Sequence, residues 1–151
     1  MNYNFHSKFK DNSEVSIGLS FVKVYNLWHK QIKDQLNSIE LTHPQFIVLA
    51  SLGYISQKKD EVNQVDISKK SNIDVMTVST IVRNLEKAEL VNRKNSTKDT
   101  RAKSIALTEF GQKKLAEALP LVEKVDHDFF ASLGKDRDDF NRLLLQLINS
   151  V

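Results

Sequence analysis

Between Asp74 and Leu107 the chain carries two groups of residues suited to contacting a polyanion. The first is Met76, Thr77, Ser79, Thr80 and Arg83, which fall outside the positions that a helical repeat of Val78, Ile81, Val82 and Leu85 turns inward. Small hydroxyl side chains let a helix backbone approach a groove closely and exchange hydrogen bonds with phosphates or base edges. An arginine fork pairs bidentately with a guanine edge or a phosphate. The second group is Arg93, Lys98, Asp99, Arg101 and Lys103. Asp99 stands two residues before Arg101, so a turn can set the carboxylate against the guanidinium and point the arginine outward. A narrow minor groove, where negative potential is concentrated, suits such an arginine. Taken singly, an ordinary exposed helix face and a surface ion pair worth about 0–1 kcal/mol explain each group better than a ligand does. Their succession in the chain gives them weight.

The charge distribution points the same way. The formal net charge is +3 over 151 residues, but Lys69 to Lys103 holds nine Lys and Arg against four Asp and Glu, leaving the rest of the chain at −2. A localised basic patch attracts phosphate backbones and gives salt-sensitive binding through counterion release. The other classes of function find little support. There is no cysteine, and therefore no disulfide, thiol redox sensor or thiolate metal site. His6, His29, His43 and His127 lack the compact spacing of metal ligands, so neither a metal nor a cofactor is expected. No Gly-rich phosphate loop and no nucleophile with a nearby base marks an enzyme. The first residues lack signal-peptide order and no run of about 18 apolar residues exists, so a cytoplasmic protein with no membrane partner is expected.

The elements that must position these groups are mostly helical, as four Gly and two Pro allow. Ile17, Phe21, Val24, Trp28, Ile32 and Leu36 repeat every three or four residues and predict a long amphipathic helix from Val15 to about Leu36. Thr42 with Pro44 opens a second helix containing Phe46, Ile47, Leu49, Ala50 and Leu52, and Gly53 is expected to end it. Residues 56–63 read as a loop with a short edge strand around Val62. Asn63 caps a short helix with Val65, Ile67 and Ser68 inward, Ser71-Asn72 forms a turn, and Asp74 caps the next helix. Two short helices joined by a tight turn are the sequence form of a helix-turn-helix. Leu90 to Lys94 and Ala102 to Leu107 then alternate as the strands of a hairpin around a polar loop. Thr108 and Glu109 open a helix through Leu115, Leu119, Val122, Val125 and Phe129, in which Pro120 predicts a kink. Phe140, Leu143, Leu144, Leu147, Ile148 and Val151 close the chain at helical spacing.

From Leu41 to Gly111 the sequence resembles the MarR family of winged-helix regulators. The shared residues are Leu41-Thr42, Pro44-Gln45-Phe46 and Val48-Leu49, then Val78-Ser79 and Leu85-Glu86-Lys87, then Leu90-Val91 with Arg93. Asp99 and Arg101 follow in the hairpin, with Leu107-Thr108 and Gly111 after it. The fold implied is mostly α with a small β-hairpin wing: an N-terminal dimerisation helix region over 1–40, a winged helix-turn-helix over 41–110, and C-terminal dimerisation helices over 111–151. The function implied is an effector-relieved repressor acting as a homodimer on a pseudo-palindromic site of double-stranded DNA. The apolar stripes of the first and last helices agree, since they exceed what a small winged helix must cover. The alternative, of another class, is a winged-helix protein-interaction module without duplex binding. Family members commonly take small phenolic or lipophilic effectors in a cleft, for which Tyr25, Trp28, His29 and Phe46 are the candidates. Aromatics at helical spacing are more often simply core. Two departures stand out: Asn72 and Glu89 occupy positions where the family usually has glycine. Asn is an easy substitute, whereas Glu89 at positive φ costs on the order of 1 kcal/mol, so the turn there is expected to differ.

Overall fold

The long first repeat forms α1 (Ile17–Asn37), preceded by a 3-10 turn at Ser13–Val15, in a computed structural model that describes residues 3–151. There follow α2 (His43–Ser56), α3 (Gln64–Ser71), α4 (Val75–Lys87), an antiparallel hairpin of β1 (Val91–Asn95) and β2 (Lys103–Leu107), α5 (Glu109–Phe130) and α6 (Arg137–Asn149). The chain is mostly α with a two-stranded wing. It divides into two compact units, one made of the chain up to Ile32 together with Val125–Val151, the other of Lys33–Lys124.

The helix starts follow from their capping residues. Thr42 and Gln45 form a reciprocal capping box at α2, with Pro44 in the first turn, and Asn63 and Asp66 form another at α3. Asp74 accepts from the Thr77 N–H at 2.9 Å to cap α4. The helix ends are less conventional. With glycine scarce, Glu40, Asn72 and Glu89 take the left-handed conformation at φ 58°, 59° and 62°. At the end of α4 the Leu90 N–H donates to the Leu85 carbonyl at 2.9 Å and the Glu89 N–H to the Glu86 carbonyl at 3.0 Å, the paired bonds of a Schellman closure. The expected divergence at Glu89 is therefore absent, because glutamate adopts the turn that glycine would.

Three further expectations are corrected. The second helix does not stop at Gly53 but runs to Ser56. A Cβ at Gly53 would lie 3.1 Å from Leu115 Cδ2, so this glycine serves helix packing rather than termination. Val65 is not on the inner side of α3 but 45 % exposed, while Ile67 is fully buried. No strand forms around Val62; its carbonyl instead accepts a single hydrogen bond from the Ile105 N–H at 2.7 Å. Helix α5 runs as one element from Glu109 to Phe130 with Pro120 inside it.

The core of the Lys33–Lys124 unit contains Leu49, Leu52, Ile67, Val82, Leu85 and Ile105. The 3.6-residue repeat of α4 accounts for its share: Val78, Ile81, Val82 and Leu85 are all buried, which turns the intervening residues outward. The wing strands pair Val91 with Leu107, Arg93 with Ile105 and Asn95 with Lys103.

Candidate nucleic-acid interface

On α4, Met76, Thr77, Thr80 and Arg83 are exposed and Ser79 is half-buried. Their polar groups are partly committed within the helix. The Thr77 hydroxyl donates to Asp74 at 2.6 Å, which leaves it an acceptor for any ligand. Arg83 Nη2 donates to Ser79 Oγ at 3.2 Å, laying the guanidinium along the helix with its remaining N–H groups outward. Met76 is 82 % exposed, an apolar group near the helix N-terminus where recognition helices meet base edges.

In the wing, the Arg101 side chain is 95 % exposed. Asp99 pairs with its guanidinium at long range, as the two-residue spacing suggested, and holds the backbone more closely. Its Oδ1 accepts the Arg101 backbone N–H at 3.0 Å and lies 3.8 Å from Nε. The carboxylate thus builds an Asx turn that shapes the loop, and the arginine projects because the backbone does. Lys98 and Lys103 are exposed, with Lys103 Nζ donating to Asn95 at 2.6 Å. Arg93 stands apart from this group. Its guanidinium donates twice to Glu86, at 3.1 and 3.0 Å, and so joins β1 to the last turns of α4. The Arg93 hydrogen bond holds the Glu86 carboxyl below the usual carboxylate range, and Glu86 in turn raises Arg93.

One residue of this region has no counterpart in the sequence pattern. Glu61, in the loop before α3, reaches the root of the wing: Ser96 Oγ donates to its Oε2 at 2.6 Å, and the Thr97 N–H donates to Oε1 at 2.9 Å, joined there by the Thr97 hydroxyl. Hydrogen bonds from Ser96 and then Thr97 pull the Glu61 carboxyl from an ordinary 4.5 down to about 2. A depressed carboxylate stabilises the fold fully above its ordinary pKa, and that contribution is lost as pH falls through the folded value. Titration of the Glu61 carboxyl carbon by NMR is therefore expected to show a midpoint near 2, with Thr97 amide shifts moving in step. A midpoint near 4.5 would show the carboxylate free of the wing.

The aromatic candidates separate. Tyr25 stacks on His29 with ring centroids 5.2 Å apart and tilts against Trp28 at 6.0 Å, while Trp28 Nε1 donates to Asp126 at 2.7 Å, all within the unit of the two chain ends. Phe46 belongs to the other unit and is 8 % exposed, a core residue. Among the described residues no group of three or more His, Cys, Asp and Glu side chains is arranged to hold a metal ion, and no helix is long and apolar enough to cross a membrane.

The arrangement of α3, α4 and hairpin matches known proteins. The family model of ArnR1-like winged-helix domains covers residues 34–126. The HTH-type transcriptional regulator YdcH of Bacillus subtilis is 34 % identical over 143 residues, which span 95 % of this chain and 96 % of YdcH. The chain belongs to the MarR family of winged helix-turn-helix transcriptional regulators. The MarR fold extends over nearly the whole molecule. A structure of Bordetella bronchiseptica BpsR, from work on regulation of its DNA binding by 6-hydroxynicotinic acid, superposes with a TM-score of 0.80 at 22 % identity, covering 100 % of this chain and 99 % of that one. A mutant MarR of Escherichia coli complexed with operator DNA gives 0.79 at 20 % identity, over 94 % and 98 % of the two chains. In MarR-family terms, α3 and α4 are the helix-turn-helix of this chain and β1–β2 its wing.

Proposed function

We propose that this MarR-family chain is a homodimeric repressor that binds a pseudo-palindromic DNA site and releases it when a small-molecule effector binds. The observation that carries the reading is the pairing, within one compact unit, of an outward row on α4 ending in Arg83 with the fully projecting Arg101 of a basic wing. Arg83, Thr80 and the acceptor oxygen of Thr77 suit phosphates and base edges, and Met76 suits a thymine methyl group. Arg101, with Lys98 and Lys103, suits the minor groove and its flanking phosphates. Arg93 acts through Glu86 to hold the wing on α4. The apolar faces left exposed on α1 and α6 support a second copy of the chain as partner. For the effector, the MarR-fold protein BpsR, regulated by 6-hydroxynicotinic acid, supports a small aromatic ligand. The cluster of Tyr25 stacked on His29 and tilted against Trp28 is the aromatic surface suited to one.

The test is enrichment of a duplex from a random-sequence pool by the wild-type protein, followed by affinity measurements over a range of salt. Arg83→Ala is expected to cost about 1–3 kcal/mol per half-site. Arg101→Ala is expected to flatten the slope of log affinity against log salt by about 2 across a dimer. Neither variant changes the oligomeric state. Equal affinity of both variants and wild type would remove the assigned groove contacts. A failure of the wild type to retain any duplex at low salt would favour the protein-interaction reading.

A further inference from the structure

We infer that Glu61 is a positioning residue for DNA binding, the latch that fixes where the wing presents Arg101 relative to the recognition helix; this rests on the DNA-binding reading above. Three fastenings hold the wing to the helix-turn-helix. Arg93 and Glu86 tie β1 to α4, and the Ile105 N–H ties β2 to the Val62 carbonyl. Both act at the strands. The third, Glu61, reaches beyond them into the loop that carries Lys98, Asp99 and Arg101. The hydroxyl of Ser96 that donates to Glu61 also accepts the N–H groups of Lys98 and Asp99, at 3.1 and 3.2 Å. Asp99 in turn accepts the Arg101 N–H. A continuous chain of hydrogen bonds therefore leads from Glu61 through Ser96 and Asp99 to the backbone of Arg101.

The other end of the chain is equally anchored. Glu61 immediately precedes Val62 and the Asn63 cap of α3. Lys59, two residues earlier, donates to Asp66 of that same capping box at 2.7 Å. The loop of residues 59–63 is thereby fixed to the first helix of the helix-turn-helix, and Glu61 transmits that frame to the wing. Its charge opposes any simpler role. A carboxylate beside Lys98 lowers the attraction of the wing for phosphates, so on charge alone its removal tightens DNA binding. Positioning predicts the reverse.

The experiment is a double-mutant cycle on the duplex enriched by the wild-type protein, with amide exchange measured on the DNA-free protein. Glu61→Ala is expected to weaken binding about tenfold, and in its background Arg101→Ala is expected to cost less than about twofold, because a wing released from its frame no longer delivers the arginine. Arg83→Ala keeps its full cost in the same background, which shows that the helix-turn-helix is intact. Without DNA, the Thr97, Lys98 and Asp99 amides exchange faster in Glu61→Ala while those of β1 do not. Tighter binding by Glu61→Ala, additive effects of the two wing substitutions, or unchanged exchange at Thr97 would each overturn the latch. Absence of duplex binding by the wild type overturns the DNA-binding reading instead, and the exchange measurement still decides whether Glu61 holds the wing.

Discussion

Replacing Gly111 by alanine is expected to destabilise the protein by about 3 kcal/mol and to lower its thermal midpoint by roughly 10 °C. A Cβ at this position would lie 1.8 Å from the Leu90 carbonyl oxygen and 2.8 Å from its carbonyl carbon. The obstacle is backbone, so no side-chain rotation relieves it. The oxygen in question also accepts the Thr108 N–H at 3.1 Å. Thr108 Oγ1 donates to the Glu89 carbonyl at 2.6 Å and accepts the Gly111 N–H at 2.9 Å. Three elements meet here, the end of α4, the start of β1 and the start of α5, and a displaced Leu90 disturbs all three. The neighbouring substitution Glu89→Gly provides the opposite sign. Glu89 is exposed and left-handed at φ 62°, so glycine relieves strain without losing a packed side chain and is expected to raise stability by about 1 kcal/mol. Thermal or denaturant unfolding of the two variants beside wild type checks both. A Gly111→Ala protein as stable as wild type would show that Leu90 and α5 can separate freely, contrary to the junction described.

The contrast between these two positions shows what a sequence can disclose. Local and periodic features are legible: the apolar repeat of α4 identifies its buried face, and Thr42, Asn63 and Asp74 announce helix starts because a capping side chain acts within three residues of itself. The hairpin follows from two short strands around a polar loop. Contacts between distant segments are not legible. Nothing in the residues around Glu61 indicates that it meets Ser96 and Thr97, 35 and 36 positions away, since a single acid in a polar loop has no period. Gly53 misleads for the same reason: its purpose is the approach of Leu115 from α5, and a glycine needed for packing is spelled like one that ends a helix. In the candidate interface, sequence spacing identifies the outward row of α4 and the projecting loop. It does not distinguish Arg101, which is free to project, from Arg93, which Glu86 engages with two hydrogen bonds.

The substitution expected to affect DNA binding most lies in the unit that does not contain the wing. Leu147 on α6 is 64 % exposed in the single chain, as is Ile148, and Ile17 at the start of α1 is 87 % exposed. Large apolar side chains clustered on helices of this length cost solvation unless covered, and contiguous patches of this kind mark interaction surfaces. Under the proposed homodimer their cover is the second copy. Leu147→Asp then places a charge in the interface at a position that makes little contribution to the core of the single chain. The protomer is expected to stay folded, because Leu49, Ile67, Val82 and Ile105 pack within Lys33–Lys124. The dimer is expected to dissociate in sedimentation analysis at micromolar concentration. Affinity for the two-half-site duplex should fall by about 100-fold or more, since two linked half-site contacts gain a factor on the order of 10²–10⁴ over independent ones. The binding isotherm should also become cooperative in protein concentration, two protomers now assembling on one duplex. A Leu147→Asp protein that remains dimeric would place the interface elsewhere, and one that becomes monomeric with undiminished affinity would show that a single recognition helix and wing suffice.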